Sequence, residues 1–96
     1  MSIIGDIARE HGIVVKTIPP ALDEQFNRGG GCAFKLKGKY HVLLDPALDV
    51  TTARAVLAHE LGHVFLGHLD GVKCDELEAN IFGAVLVAFS LISEKA

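Results

Sequence analysis

The run His59-Glu60-Leu61-Gly62-His63 constrains this chain more than any other feature. Val56, Leu57, Val64 and Phe65 flank it, so the segment reads as a helix with an apolar body. On a helix, residues four apart stand one above the other. His59 and His63 therefore present two imidazoles on one face, and Glu60 lies about 100° further round. Two such imidazoles can hold one metal ion. The neighbouring carboxylate sits beside that ion, where it can take a proton from water. Zinc suits two imidazoles and a carboxylate, with a fourth position left open.

Two histidines leave one protein ligand to find. The acidic residues downstream are Asp70, Asp75, Glu76 and Glu78. A helix over about 74–92 follows a short loop, and Ala79, Phe82, Gly83 and Leu86 make a face that can pack on the first helix. Glu76 lies on that face, three before Ala79 and seven before Gly83. Glu78 falls about 200° away from Glu76, toward solvent. Glu76 is the expected third ligand. Asn80 shares its face and could bond a ligating histidine.

A three-histidine zinc helix would need glycine at 66 and histidine at 69. The chain has Leu66 and Leu69, with Gly67 and His68 one place out of register. His68 is expected as a helix-end histidine near the negative end of the dipole. His11 and His41 have no spacing partner and are expected to be structural or exposed. Cys74 is expected as a small buried residue, because a further protein ligand would close the site.

The rest of the chain reads as a short scaffold for that helix. Residues 2–11 carry Ile3, Ile4, Ile7 and Ala8 on one helical face, with Gly12 as a stop. Residues 13–18 are β-branched and end at Pro19-Pro20, so they read as a strand. Residues 21–30 read as a loop ending in glycines. Residues 32–37 and 40–44 read as a hairpin with its turn at Gly38-Lys39. Asp49 to Thr52 supplies N-cap candidates for a helix over about 52–67, and Gly67 is its C-cap glycine. The expected fold is α+β in a single domain over 1–96: an N-terminal helix, a small, mostly antiparallel three-stranded sheet, the His-Glu-x-x-His helix and a second helix packed on it.

At 96 residues, half of them hydrophobic, the chain can bury one core with a thin margin. A net charge of −3 and a pI near 5.9 offer no basic stripe for nucleic acid. Two isolated cysteines, Cys32 and Cys74, suit a reducing cytoplasm better than secretion. The N-terminus has no signal-peptide pattern. The apolar stretch from Ile81 to Ile92 is shorter than the roughly 20 residues of a membrane span, so a buried helix is expected there and no membrane partner.

Residues 40–45, then Arg54 to His68 (RAVLAHELGHVFLGH), then Glu76 to Phe82 (ELEANIF) resemble the ImmA/IrrE family of bacterial and phage zinc metallopeptidases. The resemblance covers residues 40–86. It implies a gluzincin-like peptidase with His59, His63 and Glu76 on zinc and Glu60 as general base. It further implies a protein substrate such as a helix-turn-helix repressor of a phage or mobile element. A zinc-containing module that antagonises a repressor without cleaving it is the alternative. In such enzymes a substrate pairs with an edge strand beside the site helix, here Gly31, Cys32, Ala33 and Phe34 onward. Tyr40 and His68 are the candidates for steadying a transition-state oxygen. Gly83 stands where the family usually has alanine, and the apolar end of the last helix departs from the family pattern. That end could receive a second copy or another partner.

Overall fold

The computed structural model describes residues 3–19 and 30–95. The elements run α1 (Ile3–Glu10), β1 (Val14–Thr17), β2 (Gly31–Leu36), β3 (Lys39–Leu44), α2 (Val50–Phe65) and α3 (Glu76–Lys95). The fold is α+β, with an N-terminal helix, one small sheet and two long helices, as the sequence predicts. The glycine-ended loop read at 21–30 lies outside the described residues except for Gly30.

The sheet differs in one respect: it is mixed. Its order is β1-β3-β2, with β2 antiparallel and β1 parallel to β3. Leu44 explains the arrangement, because it pairs with Thr17 on one side and Gly31 on the other. The chain leaves β1 at the same end where it enters β2. β2 lies at the opposite edge from β1, so the two run opposite ways without being neighbours. The hairpin turn also sits one residue earlier than expected. Lys37 and Gly38 carry φ of 52° and 76°, the pair of positive angles that a two-residue type I′ turn needs.

Helix α2 is the centre of the molecule. Asp49 caps it, accepting from Thr52 N at 2.7 Å. It touches β2 and β3 on one side and α3 on the other. That position explains why its buried residues, Leu57, Ala58, Leu61, Gly62, His63 and Val64, do not fall on a single stripe. Ile4 and Ala8 from α1, Ile13 and Val42 join Leu57, Ala58, Leu61 and Val64 in one core. Ile4, Val42 and Leu61 are fully buried, and burial of each such side chain stabilises the fold by about 1.5–3 kcal/mol.

Helix α3 is buried on one face only. Ala79 and Gly83 are buried against α2, and a Cβ added at Gly83 would stand 3.0 Å from His59 N. A Cβ added at Gly62 would stand 3.1 Å from Ala79 O. The two backbones therefore approach through glycine and alanine. On the opposite face Leu77, Ile81, Val85, Phe89 and Ile92 are exposed. The sequence predicts a buried helix over Ile81 to Ile92, and the structure buries one face of it only. Small residues decide which side can come close to α2, and the large apolar ones are left outside. By length and mean hydropathy alone (1.5 over Glu76–Glu94) the helix could also cross a bilayer, which the shorter count from Ile81 missed. At its far end Glu94 accepts from Ile3 N at 3.2 Å and pairs with Arg54 at 3.1 Å, tying the last helix to the first two.

Candidate metal centre

The site lies where α2, the loop after it and the start of α3 meet the edge strand β2. A cleft of about 500 Å³ is lined by Gly31, Cys32 and Ala33, by His59, Glu60 and His63, and by His68, Leu69, Cys74 and Glu76. Asp75 caps α3, accepting from Leu77 N at 2.9 Å and Glu78 N at 3.2 Å. Glu76 is therefore the first residue of that helix. Its carboxylate sits at the positive end of the dipole and turns back toward α2.

Three donors converge there. The Nε2 atoms of His59 and His63 stand 3.2 Å apart. Glu76 places Oε2 2.7 Å from Nε2 of His63 and Oε1 3.6 Å from Nε2 of His59. Ligands of a tetrahedral zinc with bonds near 2.0–2.1 Å are about 3.3 Å apart, so one ion fits among these atoms. Burial holds His63 below the ordinary histidine value despite the neighbouring Glu76. The neutral imidazole that this favours is the form that ligates a metal. The short His63–Glu76 contact thus brings a carboxylate oxygen and an imidazole nitrogen together as two donors that could share one ion.

A second set shares His63. Its Nδ1 stands 2.8 Å from Nδ1 of His68 and 3.8 Å from Sγ of Cys74. A neutral imidazole has one lone pair, so His63 serves one set at a time. The first set combines two Nε2 atoms with a carboxylate and keeps Glu60 in the same cleft, so it is the set that matches an open zinc site.

Glu60 is largely withdrawn from water, and burial pushes its carboxyl above the ordinary glutamate value. The nearby Glu76 charge adds to that shift, and His59 opposes it. Both cleft thiols are raised as well, each first by loss of solvent, Cys32 then by Glu60 and Cys74 by Glu76. Neither is a ready nucleophile. Cys74 is exposed on the cleft rather than buried, against expectation, because it lies in the open loop before the Asp75 cap.

The other candidates separate. Asn80 is exposed and shares adjoining grooves with His59, but it bonds neither imidazole among the described residues. Tyr40 points elsewhere: its hydroxyl donates to Asp70, which Lys35 also holds at 2.5 Å. That pairing holds the Asp70 carboxylate away from the three donors. Of the edge strand, Gly31, Cys32 and Ala33 line the cleft, whereas Phe34 stacks on His41 with centroids 5.1 Å apart. Phe34 therefore takes no part in lining the cleft. The residue whose place sequence reasoning missed is His68. Its side chain is 1% exposed and lies on His63, not out at the helix end.

No curated protein and no solved structure gave a match. The pattern of one peptidase family does match, over residues 8–92, from the last turn of α1 into α3, and takes in every residue of the cleft. The chain belongs to the IrrE N-terminal-like domain family of peptidases.

Proposed function

We propose that this domain hydrolyses a peptide bond with a zinc ion held by His59, His63 and Glu76. The convergence of those three donors beside Glu60 carries the reading. Zinc, when bound, supplies a Lewis acid that polarises the scissile carbonyl and makes water more acidic. Glu60 takes the proton of the attacking water and delivers it to the leaving amine as the carbon–nitrogen bond breaks. Its raised pKa brings its basicity closer to what proton transfer near neutral pH requires. The free edge of β2 offers main-chain groups to an extended substrate, and Gly31 to Ala33 set that edge against the cleft. The substrate is a protein, and a helix-turn-helix repressor of a phage or mobile element is the proposed class. The two free thiols suit a cytoplasmic setting.

The test uses zinc-loaded protein and a purified helix-turn-helix repressor, with labelled casein as a general probe. The parent should cleave and lose activity to chelator. Glu60→Gln should keep its zinc and lose cleavage by about 10²–10⁴-fold. A Glu60→Gln variant as active as the parent would remove Glu60 from the mechanism.

The exposed apolar face of α3 favours a second reading, a zinc-stabilised module that antagonises its partner by contact. A stable complex with the repressor and no fragments over long incubation supports that reading over the enzyme.

A further inference from the structure

We propose that His68 is a positioning residue: it accepts a hydrogen bond from Nδ1–H of His63 and so fixes the tautomer and rotation that aim Nε2 at the metal. The inference rests on the zinc centre proposed above and adds a residue to it.

The way α2 ends puts His68 there. Leu66 is the C-cap, and Gly67 takes φ of 80°. The N–H of His68 donates to His63 O at 3.0 Å, and the N–H of Gly67 donates to Val64 O at 3.2 Å. This is the Schellman pairing, in which the second residue past the cap folds back over the residue one turn before. That contact is usually hydrophobic. Here both partners are imidazoles, with Nδ1 to Nδ1 at 2.8 Å and ring centroids 5.1 Å apart.

At that distance one Nδ1 donates and the other accepts. Metal on Nε2 of His63 leaves its proton on Nδ1, so His68 is the acceptor. His68 then carries its own proton on Nε2. That atom is buried, has no hydrogen-bond partner among the described residues, and stands 3.6 Å from Oε1 of Glu78. The order His63, His68, Glu78 extends the familiar metal–histidine–carboxylate support by one imidazole. Glu78 thereby gains a role as the outer carboxylate facing that proton.

Two experiments test this. In zinc-loaded, ¹⁵N-labelled parent protein, a coupling through the hydrogen bond should join the two Nδ1 nuclei of His63 and His68. In variants, His68→Asn places an amide oxygen near the lost Nδ1 and should bind zinc nearly as well as the parent. His68→Leu fills the space without accepting and should weaken zinc binding about 10–100-fold in a chelator competition. Absence of the coupling, or equal zinc affinity of parent and His68→Leu, overturns the proposal. So does a single equivalent of cobalt whose thiolate band is lost in both Cys74→Ser and His68→Leu, because His68 would then be a ligand in the other donor set. A parent that binds no metal at all removes the zinc centre itself, and is told apart because no variant is needed to see it.

Discussion

Gly67 is a position where a single added methyl group should be costly twice over, in backbone strain and in a steric clash. Its φ of 80° is left-handed, and alanine there costs about 1–2 kcal/mol in backbone strain. The added Cβ would also stand 2.9 Å from Cγ2 of Val72. Val72 must move off its rotamer to clear it, at about 0.5–1.5 kcal/mol. Gly67→Ala should therefore lose about 2–3 kcal/mol, which in a domain of this size lowers Tm by roughly 10–20 °C. Melts in chelator keep metal linkage out of the measurement. Gly12→Ala is the control, because Gly12 has φ of 69° with open space around it, so only the strain applies. A Val72→Ala background should remove the steric share and leave the strain. Equal losses at Gly12 and Gly67, or no recovery with Val72→Ala, would refute the reasoning. A fall in Tm under about 2 °C would deny the left-handed cap itself.

At Gly83, alanine should raise helix propensity by about 1 kcal/mol yet crowd the backbone of His59, whose N and Cα lie 3.0 and 3.1 Å from the new atom. Overpacking of this kind costs about 1–3 kcal/mol, so Tm should change little or fall modestly. Zinc affinity should fall further, about tenfold, since ligands must hold their places to within about 0.5 Å. Unchanged affinity would argue against the close approach. For pH, the bond from Thr52 N to the Asp49 cap holds that carboxyl below the ordinary aspartate value. Its contribution is whole above about pH 3.9 and is lost as pH falls through the lowered folded value. Asp49→Asn keeps a capping oxygen that does not titrate, so urea unfolding should show a shallower acid limb, and parallel limbs would count against the cap.

What could be read from the sequence was whatever depended on local spacing. Histidines four apart, Asp49 ahead of an apolar run and Gly67 behind it placed α2, and the face of Ala79, Phe82, Gly83 and Leu86 placed α3. The face shared by Glu76, Ala79 and Gly83 pointed to the third donor. Strand direction was not legible, because alternation marks a strand without saying which way its neighbour runs. Nor does alternation say that β1 and β2 take opposite edges of the sheet. The exposed side of α3 was missed because composition treats Ala79 and Ile81 alike, whereas packing distance separates them. His68 was misplaced for a similar reason. Its register excluded it as a zinc ligand, but its place one residue past a left-handed glycine is what turns it inward.

The tie between Glu94 and both Ile3 and Arg54 has a temporal side. Contacts joining residues so far apart in sequence close late in folding. During synthesis the two histidines of α2 emerge well before Glu76, and Glu76 before the Glu94 tie. A nascent chain thus presents the two imidazoles without the carboxylate, on an uncovered helix, for about a second or more at ordinary elongation rates. A ribosome stalled short of Glu94 should hold a chain open to proteolysis, and release of the last turn should bring protection and metal retention together.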